Sequence, residues 1–139
     1  MSTNTVSTVI DRHPVPIAGL LAIASIPIHA VLPFWWSHQI AALVLALIAG
    51  VYIGFSVVDG RLKTIIIEVM VAIGFVGFAA GSMIYNPLWL PLGYIAHGLW
   101  DILHHSPLFN LKMPRWYIPL CAAYDILAGI GLWVIWMLR

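Results

Sequence analysis

The sequence predicts an all-α integral membrane protein, a bundle of five transmembrane helices in one domain (1–139), with the N-terminus cytoplasmic and the C-terminus outside. Three observations predict it. The 139 residues are 63% hydrophobic and only 8% charged, whereas a soluble domain carries about 25% charged residues. The apolar residues fall in five long runs, each near the ~20 residues that a helix needs to cross a bilayer. The Lys and Arg residues divide unevenly between the loops on the two sides. A barrel is excluded because the runs are continuous and do not alternate.

The spans read as 15–34, 39–58, 64–84, 88–104 and 118–137. The breaks between them are WWSHQ (35–39), DGRLK (59–63), YNP (85–87) and HSPLFNLKMPRWY (105–117). The fourth span is short and extends toward His105. The first follows Arg12 alone, with IHA (28–30) only faintly like a cleavage site, so it is read as a retained helix. With an inward N-terminus, the inner side carries Arg12, Arg61, Lys63, Lys112 and Arg115 and the outer side only Arg139, which satisfies the positive-inside rule. Trp35, Trp36, Tyr85, Trp89, Trp116 and Tyr117 stand at span ends, as interfacial belts do. Gly50-x3-Gly54 and Gly77-x3-Gly81 are expected at close helix contacts. The single cysteine, Cys121, excludes an internal disulfide. A net charge of +1 gives no reason to expect nucleic acid.

Against this apolar background, HGLWDILHH (97–105) packs three histidines and an aspartate into nine residues. A charge at mid-bilayer costs at least ~2.5–3.5 kcal/mol on insertion scales, so an acidic residue inside a span usually faces the bundle and serves a function. Three such residues exist here: Glu68, Asp101 and Asp125. Counting at 1.5 Å per residue from the inner ends, Glu68 lies ~7 Å deep, Asp125 ~10 Å, Asp101 ~4–5 Å and His97 ~10 Å, with His104 and His105 at the inner mouth. Three helices thus bring these groups to one layer near the cytoplasmic face. At ~100° per residue, His97, Asp101 and His104 share one face of the fourth helix, with His105 at its edge.

Imidazoles and carboxylates together are the donor set of iron, manganese and zinc. Asp101-x-x-His104 has the spacing by which di-iron bundles ligate metal from one helix. The expected metal ligands are His97, Asp101, His104, His105, Glu68 and Asp125, with Asp101, Asp125 and Glu68 also the candidate catalytic carboxylates. The set is large enough for a dinuclear centre, and its carboxylate content leans toward iron. Two other readings of the same residues stay open: a hydrogen-bonded packing network, and a metal-free proton path or binding site. His29 reads as a satisfied interfacial histidine, His38 as a loop residue, and His13 as an inner-side residue within reach of the layer. Cys121 lies one turn before Asp125 on the same face, and Trp100 and Tyr124 read as packing residues.

HGLWDILHH, with the later CAAYD (121–125), resembles a family of small bacterial multi-spanning membrane proteins of unknown function that share H-x2-W-D-x2-H-H and C-A-x2-D. The resemblance covers the last 75 residues or so. It implies His97, Trp100, Asp101, His104, His105, Cys121 and Asp125 as a characteristic set, an acidic residue matching Glu68, and residence in the bacterial inner membrane. It implies no activity. The x-x-H-H ending is also weakly similar to membrane hydroxylases and desaturases, which use more histidines than the six present. The functional expectation is a metal-dependent membrane oxidoreductase or hydrolase acting on a lipid-soluble substrate, self-associating or held in a larger complex. The alternatives are a non-catalytic subunit of a pigment-, quinone- or haem-associated complex, and a proton-coupled carrier.

Overall fold

The computed structural model describes residues 5–106, 109 and 111–139, and among them every regular element is a helix. The order is α1 (Thr5–Arg12), α2 (Pro14–Val31), α3 (Phe34–Asp59), α4 (Leu62–Ile84), α5 (Trp89–His104) and α6 (Tyr117–Met137). Four of them, α2, α3, α4 and α6, are long and apolar enough to cross a membrane. The fourth sequence segment appears as α5, 16 residues long, or ~24 Å at 1.5 Å per residue.

The helix ends follow local chemistry. Pro14 opens α2, where its missing N–H costs nothing. The α2–α3 break falls at Leu32–Pro33, not at WWSHQ. Pro33 drives the residue before it out of the helical region, and Leu32 is extended at ψ 147°. WWSHQ therefore lies inside α3, and His38 is a helix residue rather than a loop residue. Gly60 ends α3 at φ 81°, a left-handed cap whose N–H reaches the Ser56 carbonyl. Asn86 Oδ1 accepts from the Leu88 N–H at 2.9 Å in the turn before α5. The short α1 was not expected, since eight residues without an apolar run give little periodicity to read.

Helix α5 is the hub. It packs along α6 and also touches α4 and α3, while α3 packs on α4 and α2 on α6. Small residues make this closeness possible, at positions other than the expected ones. A Cβ added at Gly50, Gly54 or Gly77 would meet nothing within 4 Å, and one at Gly81 only Trp89, at 3.9 Å. A Cβ at Gly98 would lie 3.0 Å from the Ala122 carbonyl oxygen, and one at Gly129 would lie 2.7 Å from that of Pro91. The glycines that set helix separation are thus those of the α5–α6 seam.

The burial pattern is that of a protein whose outer solvent is lipid. Leu20, Ile23, Leu43, Leu47 and Ile73 are all 60% or more exposed, while Glu68, Asp101 and Asp125 are at most 2% exposed. Exposed apolar surface on this scale is foreign to soluble monomers. The core between the helices is built from Ala41, Ala42, Leu45, Ala79, Leu90, Tyr94, Ala128, Leu132 and Trp136. The α3–α4 and α5–α6 connections share one end of the bundle, where the Arg61 guanidinium donates to the Phe109 carbonyl at 2.7 Å and pairs with Asp59.

Candidate metal centre

Near that end α5 presents His97, Asp101 and His104 inward, all buried. Two adjacent groups form around them. In the first, His97 Nδ1–H donates to Asp125 Oδ2 of α6 at 2.7 Å and lies 3.7 Å from Asp101 Oδ1. Each of His97, Asp101 and Asp125 offers a ligand atom within 4.8 Å of the others, an arrangement able to hold a metal ion. In the second, His104 Nε2 lies 2.8 Å from Glu68 Oε1 of α4. His104 Nδ1 lies 3.0 Å from the Trp100 carbonyl. A carbonyl can only accept, so Nδ1 carries a hydrogen, and the Nε2–Oε1 contact shares one further proton.

Tyr52 of α3 joins the two groups. Its hydroxyl donates to Asp101 Oδ1 at 2.7 Å, and its ring stacks on His104 with centroids 4.1 Å apart. Sequence reading missed this residue. The available signal was a lone phenol in the middle of an otherwise aliphatic run, too weak without knowing which way it faces. Tyr52→Phe keeps the ring and removes the hydroxyl. It is expected to lower stability by about 1–3 kcal/mol, the cost of leaving a buried acceptor without its donor, as read by SDS-titration unfolding of the purified protein. An unchanged transition would show that Asp101 does not depend on Tyr52.

Three buried polar atoms among the described residues lack a hydrogen-bond partner: His97 Nε2, Asp101 Oδ2 and Trp100 Nε1. Two of the three belong to the ligand group. Buried polar atoms are normally paired, and an orphan calls for an ion or a ligand to explain it.

The other expected residues fall outside the two groups. His105 is exposed at the C-cap of α5. It lines, with His104, Ser106, Met113 and Arg115, a vestibule of about 660 Å³ at the bundle end. His13 is exposed at the start of α2. Cys121 lines a second cavity beside Asp125, and the Tyr124 hydroxyl pairs with Ser25 at 2.9 Å.

At the opposite end of the bundle a second polar layer closes on itself. Ser37 Oγ accepts from Trp136 Nε1 at 2.9 Å and contacts His29 Nδ1 at 3.0 Å. Ser82 donates to the Ala79 carbonyl at 2.6 Å and meets His38 Nε2 at 3.2 Å. His29 is thus a satisfied histidine. His38 is buried, an outcome hidden from sequence reading by the misplaced break. Compared with protein-family models, curated proteins and solved structures, the chain matches none.

Proposed function

We propose that the chain is a metal-dependent membrane enzyme acting on a lipid-soluble molecule, its ion held by His97, Asp101 and Asp125. The observation that carries this reading is the spacing of His97, Asp101 and Asp125, whose ligand atoms lie within 4.8 Å of one another with Asp101 Oδ2 buried and unpaired among them. A cation there would also offset the cost of keeping two carboxylates out of water. Three protein ligands are the number that catalytic centres use when they leave a position for water or substrate. A metal in such a site supplies Lewis acidity or redox chemistry. In this reading Tyr52 orients Asp101, and the Glu68–His104 pair stands beside the ion as a proton-holding group. The dinuclear alternative, with Glu68 and His104 as further ligands, requires that pair to open.

In the same reading α5 joins the four long helices as a fifth span, with the N-terminus inside, since only that count places five of the six Lys and Arg residues on one side. Helix α5 buries His97, Asp101 and His104 inward and leaves Leu92, Leu99, Ile102 and Leu103 exposed, the two-sided pattern of a spanning helix. Of the seven motif residues, His97, Trp100, Asp101, His104, Cys121 and Asp125 lie in or against the two groups or the adjoining cavity, which supports kinship with the small bacterial family that shares them; His105 is exposed at the C-cap of α5.

The test is metal content by inductively coupled plasma mass spectrometry on detergent-purified protein, as isolated and after anaerobic loading with iron(II), manganese or zinc. About one ion per chain is expected, lost in His97→Ala and in Asp101→Ala but kept in His104→Ala. Two ions, one of them lost in His104→Ala, would establish the dinuclear alternative. A folded protein that takes up none of the three metals would overturn the reading.

A further inference from the structure

A cavity of about 280 Å³ adjoins the metal-binding group, lined by Leu21 and Ser25 of α2, Ile48 of α3, His97 of α5, and Tyr117, Leu120, Cys121, Tyr124 and Asp125 of α6. It exists because α2 packs along α6 and barely touches α3, which leaves a seam between α2 and α3 on the lipid-facing side. We propose that this cavity binds a compact, uncharged lipophilic molecule bearing one hydroxyl group, and that this molecule is the substrate. The inference rests on the functional reading above for the word substrate; the binding site stands without it.

Size, charge and hydrogen-bond capacity each narrow the ligand. The volume is at the low end of the ~300–1,000 Å³ of small-molecule sites, enough for a body of one or two rings and too little for a two-chain lipid. Among the described residues, no Lys or Arg lines the cavity. A phosphate or carboxylate headgroup would therefore be buried without a counter-charge, next to Asp125.

The polar side chains of the wall are mostly committed to one another. Ser25 pairs with Tyr124 at 2.9 Å. His97 has given its Nδ1–H to Asp125. What remains at the end nearest the metal-binding group is the acceptor capacity of the Asp125 carboxylate. A ligand hydroxyl can donate to that carboxylate, and a carbonyl or ether cannot. The seam between α2 and α3 admits such a ligand from the bilayer, where a lipophile is concentrated.

The experiment uses the full chain in nanodiscs, with tritiated 2-naphthol as the probe and empty nanodiscs as the blank. Saturable binding is expected. Naphthalene, which lacks the hydroxyl, should bind about tenfold more weakly, the worth of one hydrogen bond to a buried acceptor. Leu120→Trp fills the cavity and should abolish binding while metal content stays unchanged. Ile48→Trp, from the facing wall, replaces it should Leu120→Trp misfold. Absence of saturable binding in folded protein, equal binding of naphthalene, or wild-type binding in both tryptophan variants would each overturn the proposal. Binding in a protein that takes up no metal would leave this site standing and remove only the metal reading. Metal uptake without binding would do the reverse.

Discussion

Asp125→Ala is expected to lower the unfolding free energy by about 3–5 kcal/mol, the cost of stripping one partner from a buried, hydrogen-bonded ionisable pair. His97 and Asp125 are both buried, and their 2.7 Å contact is the polar tie between α5 and α6 at this depth. Without the carboxylate, the Nδ1–H of His97 points at a methyl group in a water-free interior. Asp101 stands one turn along the same helix at 3.7 Å, beyond hydrogen-bond reach, with its carboxylate held by Tyr52, so it replaces the lost acceptor only by leaving that partner. Asp125→Asn keeps an acceptor oxygen near the same place, so it should unfold closer to the wild type while binding metal poorly. SDS titration followed by tryptophan fluorescence, with chelator present so that metal affinity does not enter, gives both values. An alanine variant as stable as the wild type would mean that the pair holds nothing together.

Gly98→Ala and Gly129→Ala should each cost about 1–3 kcal/mol, the range of overpacking in a filled interior. At Gly129 the new methyl group meets the Pro91 carbonyl oxygen at 2.7 Å and the Ile95 nitrogen at 3.2 Å, both of them backbone. No side-chain rotation relieves such a clash, so the two helices must part. Gly98 adjoins His97, and parting the helices there stretches the His97–Asp125 contact, so Gly98→Ala should also lose metal. Gly54→Ala is the control, since its Cβ would meet nothing within 4 Å and alanine is the better helix former. Equal unfolding midpoints for Gly54→Ala and Gly129→Ala would show that the α5–α6 seam is looser than drawn.

The contrast between these glycines marks where sequence reading stops. The long helices were legible because apolar runs of membrane length stand out, and their ends were legible where a break carries charge, as at DGRLK, but not at Leu32–Pro33, where one proline interrupts an apolar run. The polar layer was legible because depth along a helix is a matter of counting, and Glu68, Asp101 and Asp125 are costly enough in lipid to demand a shared location. Rotation was not legible. A helix that is apolar all round has no hydrophobic face to announce its neighbour. Nothing in the sequence therefore distinguishes Gly54, turned away from the other helices, from Gly129, pressed against Pro91, or marks Tyr52 as facing Asp101. Nor does the sequence show that His104 and Glu68 meet each other beside the His97, Asp101 and Asp125 group, or that His105, at the edge of that face, lies exposed at the C-cap of α5.

The proton shared by His104 and Glu68 has an electrostatic consequence. Whether it rests on the imidazole or on the carboxyl group, the pair sums to zero charge, because the hydrogen on Nδ1 is held by the Trp100 carbonyl in either case. The bundle therefore buries a dipole there instead of an ion. Passing the proton across 2.8 Å takes the pair between imidazolium with carboxylate and two neutral groups, so the dipole grows or shrinks while the net charge stays zero. A neighbouring group that gains or loses charge can thus be answered by the pair within the protein, with no ion drawn in from the aqueous side.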